Sequence, residues 1–327
     1  MTTRAVRLAI AACGLALAAL PASAQQADRV WRIGFLSVVG PEASAGVLGA
    51  FRDHMRAIGY VEGRNLSIEH RWPNGSFDKD PGAAGSLARG KVDVIVAWAT
   101  PATIAAKRAT SSVPIVFVGT SDPIGSGLVR SLARPGGNVT GVSNVGIELA
   151  AKQAELVVEV LPGTRRIGVI ANQANPAVVA QSNEILRATR ALGLQSEVVN
   201  ARSREDFEKA FRRFTRSKVS AVVIAPDPSV LEHRAPIAAL ALKARLPTFF
   251  QREENVRAGG LISYGPNLTD QLRQVARFVD KILKGASPAD LPVEQPERIE
   301  MVLNAKTAQA LGLTIPQSVL LRAQTVD

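Results

Sequence analysis

The sequence predicts an α/β protein of two lobes, each a doubly wound, mainly parallel sheet, between which the chain crosses more than once. Three observations carry this prediction. Short runs rich in Val and Ile alternate with stretches of helical period, the pattern of a parallel sheet covered on both faces. The alternation pauses at the turn signal Arg134-Pro135-Gly136-Gly137-Asn138 and then starts again. The chain of 327 residues is also longer than one apolar core usually supports.

Each element follows from its own residues. A compact apolar run over 31–37 reads as a first strand, and Leu48, Phe51, Met55 and Ile58 set a helical period over 45–58. Residues 66–72 alternate as a second strand. Strands are predicted over 92–98 and 114–118, a helix over 101–109 and a short helix over 124–133. After the turn come a helix over 148–161, a strand over 166–171, a helix over 176–192 and a strand over 196–200. Ser203 with Asp206 forms a capping box that opens a helix to Arg216. Next are a strand over 219–225, one helix over 229–245, and strands over 246–250 and 261–264. A helix over 268–283, a strand over 298–303 and a helix over 304–311 finish the reading. The segments after Gln251 are too few for a third domain, so they complete the first two. Residues 30–144 with about 251–283 are assigned to the first lobe, and 145–250 with about 284–327 to the second.

The first residues carry an export signal. Arg4 and Arg7 precede an apolar run from Leu8 to Leu20, and Pro21-Ala22-Ser23-Ala24 supplies the small residues of a cleavage site after Ala24. Residues 1–24 are therefore a cleaved signal peptide, and the processed protein is secreted to the periplasm. Ile10-Ala11-Ala12-Cys13 offers a competing lipoprotein anchor through Cys13, but the apolar run continues well past it. Cys13 is the sole cysteine, so the processed chain has no disulfide, thiol nucleophile or Cys-metal site.

The formal charge is +11, of which Arg4 and Arg7 carry two. The remaining excess is dispersed over amphipathic segments, as at Arg187, Arg190, Arg202, Arg204, Lys209, Arg212 and Arg213. That is a solvated basic surface, and no nucleic-acid partner is expected. Catalytic constellations are absent too. His54, His70 and His233 lack metal spacing, and there is neither a G-x-S-x-G elbow nor a phosphate-binding G-x-x-x-x-G-K-[ST] loop. The expectation is a non-enzyme without cofactor or metal.

In open α/β sheets, ligands bind beyond the carboxyl ends of the strands. The loops leaving the predicted strands offer Ser37, Thr100, Thr120, Ser121 and Asp122 in the first lobe, and Asn172, Asn175 and Asp227 in the second. Helix N-termini and neutral hydroxyl and amide donors suit a carboxylate, and Asp122 and Asp227 can accept from an amine. Each of these residues alone also reads as an ordinary helix cap. As a set they fit a small zwitterion or carboxylate. Trp98, at a strand end, suits an apolar wall or simple packing.

Several runs are those of a known family. They include Gly59-Tyr60-Val61-Glu62-Gly63-Arg64-Asn65-Leu66, Glu69-His70-Arg71-Trp72, the stretch from Ser131 to Gly141, Ser263-Tyr264-Gly265-Pro266, Asp280-Lys281-Ile282-Leu283-Lys284-Gly285 and Asp290-Leu291-Pro292-Val293-Glu294-Gln295-Pro296. The chain resembles, over nearly its whole processed length, the ABC transporter substrate-binding proteins whose best-known members take tryptophan or tyrosine. The resemblance implies a type I periplasmic-binding-protein fold, with a three-segment hinge and Asn144, Gln251 and Gly265 at the hinge or cleft. It also implies a monomer that captures a small molecule, an amino acid or related small carboxylate, and passes it to permease and ATPase subunits. A ligand-presenting partner of a membrane sensor has the same signature.

Overall fold

The computed structural model describes residues 29–73 and 76–327. The signal segment and Cys13 lie outside the described residues. Two sheets organise the chain. The first is built from β1 (Trp31–Leu36), β2 (Leu66–Arg71), β3 (Val94–Trp98), β4 (Ile115–Thr120) and β5 (Val139–Ser143), in the order β2-β1-β3-β4-β5. All its pairings are parallel. Every residue of β3 and β5 is buried, as a strand with helices on both faces requires.

One face of this sheet is covered by α1 (Pro41–Ala57), the other by α2 (Gly82–Arg89) and α3 (Thr100–Ala109). A much later helix, α10 (Leu268–Leu283), lies beside α1. Its Leu268, Leu272, Val275, Val279 and Ile282 recur at helical spacing and join Phe35, Phe51 and Met55 in one core. Each large side chain so buried contributes about 2 kcal/mol.

The second sheet starts with α4 (Gly146–Val160), β6 (Arg166–Ala171), α5 (Pro176–Ala191), β7 (Gln195–Asn200), α6 (Arg204–Arg216) and β8 (Ala221–Ile224). Then come α7 (Pro228–Glu232), α8 (Arg234–Ala244), β9 (Thr248–Phe250), α9 (Glu253–Arg257) and β10 (Ile262–Pro266). After α10 the chain adds β11 (Ile299–Asn304), α11 (Ala305–Leu311), α12 (Gln317–Leu320) and β12 (Ala323–Val326). The strand order is β12-β11-β10-β9-β8-β6-β7, with β10 and β11 antiparallel and the other pairings parallel. The expected capping box is present: Ser203 Oγ accepts from Asp206 N, and the Asp206 carboxylate accepts from Ser203 N.

The structure corrects three expectations. Residues 124–133 are turns, not a helix. The Asp122 carboxylate takes the Gly125 N–H at 2.8 Å, and Gly127 turns into the left-handed region at φ +66°, so the helical ladder never starts. The helix expected over 229–245 is two helices that break at His233. Pro236 has no N–H to donate to Glu232 O, and its ring crowds that carbonyl. The division of the last third also differs. Strand β10 pairs in the second sheet, not with the first lobe. Residues 291–294, expected in the second lobe, line the edge of the first sheet: Glu294 N donates to Gly141 O and Ser143 N to Glu294 O. The chain therefore passes between sheets between β5 and α4, between β10 and α10, and between Glu294 and β11.

Among the described residues no helix is long and apolar enough to cross a membrane. Nor is any group of three or more His, Cys, Asp or Glu placed to hold a metal ion.

Candidate functional site

The carboxyl ends of β3, β4 and β5 face the loops after β8 and β9 and the start of α5, and a pocket lies between them. On the first wall, β3 ends at Trp98 and the chain turns sharply at Ala99. This alanine has φ +72° and ψ 162°, a conformation nearly reserved for glycine that costs about 1–3 kcal/mol. The turn is held by Ala99 N donating to Val118 O at 2.8 Å and by Thr103, which bonds Ala99 O through both its N–H and its hydroxyl. It delivers Thr100 to the pocket at the start of α3, a helix with no side-chain cap. Gly119, at φ +73°, forms the floor. A Cβ there would lie 3.2 Å from Arg252 Nη2 and 3.7 Å from Trp98 Cδ1. Ser121 and Asn144 complete this wall. Asn144 is fixed by accepting the Gly146 N–H at 3.1 Å.

The second wall is built on charge. Asp227 is buried and caps α7. Its Oδ1 accepts from Ser229 N at 3.0 Å, Ser229 Oγ at 2.6 Å and Asn172 Nδ2 at 3.3 Å, and its Oδ2 accepts from Asn175 Nδ2 at 3.0 Å. Asn175 caps α5 at Ala177 N. Arg252 follows β9. The residue keeps some exposed surface, but its guanidinium is enclosed, and burial pushes that group below its usual range while nearby Glu254 opposes the shift. Its Nη1 donates to Gln271 Oε1 at 3.3 Å. Asn255 is 3 % exposed, and its Oδ1 has no hydrogen-bond partner.

The walls touch. Gln181 Nε2 of α5 donates to Ser121 Oγ, and Leu231 of α7 joins the apolar core of the first sheet. The arrangement is closed over the pocket.

Thr100, Ser121, Asn144, Asn175 and Asp227 thus share one cavity. The other six residues singled out from sequence lie off its surface. Ser37 is fully buried, donates to Val39 O and lies 3.0 Å from His70 Nε2. Thr120 is buried beside Thr103. Asp122 is spent on the Gly125 turn. Asn172 stands behind Asp227 as a donor to it. Gln251 donates to Gly146 O and Gln153 Oε1 of α4 within the second lobe, and Gly265 packs on Gln251, where a Cβ would come within 2.0 Å of the Gln251 carbonyl oxygen. Sequence reasoning missed Arg252 and Asn255. The strand-end rule that selected Asp227 after β8 selects Arg252 equally well after β9.

This fold and cleft are those of a type I periplasmic binding protein. The chain belongs to the ABC transporter substrate binding protein family, whose model matches residues 32–327. It is 27% identical over 282 residues to a tyrosine-binding protein of Clostridioides difficile, covering 83% of this chain and 77% of that one. A conserved domain protein from Vibrio cholerae superposes with a TM-score of 0.85 at 28% identity, over 91% of this chain and 100% of that one. An ABC domain from Streptococcus pneumonia in complex with L-Trp gives 0.82 at 28% identity, with the same coverage.

Proposed function

We propose that this chain is the periplasmic capture component of an ABC-type importer, taking an amino acid or related small carboxylate between its lobes and handing it to a membrane permease. One observation carries the reading: the pocket is walled by both lobes, with neutral donors on one side and a carboxylate and a guanidinium on the other. Tyrosine in the name of one relative and L-Trp in the complex of another support an amino-acid ligand, and Trp98 supplies an apolar surface for a side chain. The export signal over residues 1–24 fits the same role.

The protein itself performs no chemistry in this reading. Ligand settles in the open cleft, and because only the closed form contacts it from both sides, binding shifts the population toward closure. The closed face is what a permease recognises, and ATP hydrolysis belongs to the partner. Thermal-shift and calorimetric titration of the processed protein with the common amino acids, paired with solution scattering, tests this. A stabilising amino acid that also reduces the radius of gyration is the expected result. A chain that no amino acid or small carboxylate stabilises or compacts is not a capture protein of this kind.

A further inference from the structure

The excess of positive charge is not spent evenly over the surface. In the second lobe the parallel strands β6, β7, β8 and β9 start side by side, at the pole that faces away from the cleft. Gln195 N donates to Arg165 O at 2.8 Å, Ser220 N to Arg166 O at 2.8 Å and Val222 N to Pro247 O at 2.9 Å, which ties the incoming segments together. Residues 161–166, 188–195, 213–221 and 241–248 make this pole, and between them they carry eight Arg and Lys and no Asp or Glu. Arg166 and Arg213 share Glu197 of β7. The other six, Arg165, Arg190, Arg216, Lys218, Lys243 and Arg245, are exposed, and among the described residues no carboxylate lies within ion-pair distance of them.

Basic residues suit helix C-termini, where they complement the dipole, and that accounts for Arg190, Arg216 and Lys243. It does not account for Arg165 or for the missing carboxylates. The pole of the first sheet keeps Arg64, Arg89 and Lys91 unpaired, yet interleaves them with Asp53, Glu62 and Asp93, which hold Arg56, Arg52 and Arg29. Two leucines stand in the basic field of the second pole. Leu192 is 40% exposed at the end of α5, and Leu242 is 44% exposed in the last turn of α8. Asp327, after β12, lies at the far edge of the sheet, three strands away from β9.

We propose that this pole docks on a bilayer bearing anionic headgroups, with its guanidinium and ammonium groups at the phosphates and Leu192 and Leu242 at the acyl boundary. Charge complementarity selects an anionic surface. The exposed leucines select lipid over a water-soluble polyanion, which has no apolar layer to receive them. The choice of lipid also rests on the periplasmic placement proposed above, where the membrane that carries the permease is the anionic surface at hand. The pole lies at the amino ends of the strands and the pocket at the carboxyl ends, so lipid contact leaves the pocket uncovered. Such contact holds the protein near its permease between deliveries.

The test floats the processed full-length protein with vesicles of phosphatidylcholine, alone or with about 30% phosphatidylglycerol, at about 0.05 and 0.5 M salt. Binding is expected on the anionic vesicles only, and is expected to fall steeply at the higher salt. Each Lys or Arg at an anionic surface is worth about fivefold, so R216Q/K218N/R245N is expected to bind about a hundredfold more weakly. Asn replaces Lys218 and Arg245 because both stand in the left-handed region, at φ +54° and +55°. R64Q/R89Q/K91N removes the same charge from the other pole and is expected to bind as the parent does. L192S/L242S is expected to bind severalfold more weakly at the lower salt. All three variants are expected to melt with the parent, and amino-acid calorimetry on the same preparations reads capture separately. A parent that ignores anionic vesicles, or binds neutral ones equally well, overturns the proposal and leaves capture standing. So does a first-pole variant that loses as much as the second-pole variant, since net charge alone then explains the binding. A DNA duplex that the parent binds as tightly as the anionic vesicles, with L192S/L242S floating like the parent, overturns the choice of lipid. A protein that floats as expected but captures nothing loses the earlier reading alone.

Discussion

The first wall of the cleft offers hydroxyls, an amide, an indole and a strained helix start, while the second offers Asp227 and Arg252. Their supports differ as well. The first wall hangs from a five-stranded sheet paired throughout in parallel. The second hangs from a seven-stranded sheet in which the returning β11 runs antiparallel. Asp227 is held entirely by its own lobe, whereas Arg252 reaches the other: its Nη1 bonds Gln271 of α10 and its Nη2 sits against Gly119. Asp227 is therefore in place before the lobes meet, and the Arg252 guanidinium takes its position as they close. In the proposed function the second lobe selects and the first lobe closes.

The hardest test of this division is at Gly265. Gly265→Ala drives a Cβ into the Gln251 carbonyl, backbone against backbone, beside the strand that carries Arg252. It is expected to cost about 3 kcal/mol, read as a lower urea midpoint at unchanged slope. Asp227→Ala comes next. It strands the amides of Asn172 and Asn175 and the Ser229 N–H, with an expected loss of about 2 kcal/mol in stability and tenfold or more in affinity. If Asp227→Ala leaves affinity unchanged, the charged wall is not where selection occurs.

On the neutral wall the effects are smaller. Thr100→Val is expected to weaken binding about three- to tenfold, the worth of one uncharged hydrogen bond. Ser121→Ala removes the acceptor of Gln181 Nε2, and scattering of the unliganded protein is expected to show a larger radius of gyration. A Thr100→Val loss as large as that of Asp227→Ala would erase the distinction between the walls.

The smallest effect is a pH dependence confined to the first lobe. His70 touches Ser37 and Ser44 behind the β1–α1 loop. Burial first, then the charges of Arg52 and Arg71, hold its pKa below the ordinary 6.5. The unfolded chain therefore takes up this proton before the folded one does. The stability contribution is complete above pH 6.5 and is lost as the pH falls below that value. A stability profile over that interval is expected to flatten in His70→Gln.

The alternation of Val/Ile runs with helical periods made both sheets legible, because buried parallel strands leave little room for other residues. What escaped has local causes. Gly82–Arg89 is short and mostly small residues, with Leu87 its one large apolar side chain, so α2 reads as a loop. Strand β5 is five residues long and follows directly on a Pro-Gly-Gly turn signal that masks it. Pro236 was visible, but the break it imposes was not drawn. At the cleft, strand ends pointed to Thr100, Ser121, Asn175 and Asp227. They could not tell which polar side chains face inward: Asp122 and Thr120 flank Ser121 in the chain and turn away from the pocket. Arg252 was overlooked because its charge resembled the dispersed surface arginines, and only enclosure sets it apart.

The three passages between sheets also govern the order in which the molecule can be made. A ribosome delivers β1 to β5 first, yet the cover that α1 gives one face of that sheet is completed only by α10. The second sheet is short of its last strand until Ala323–Val326 emerge. Neither half can mature on its own during synthesis, so the nascent chain stays incompletely folded until nearly its whole length is available. The finished halves are then joined by three passages, and cutting one leaves two that still hold them together.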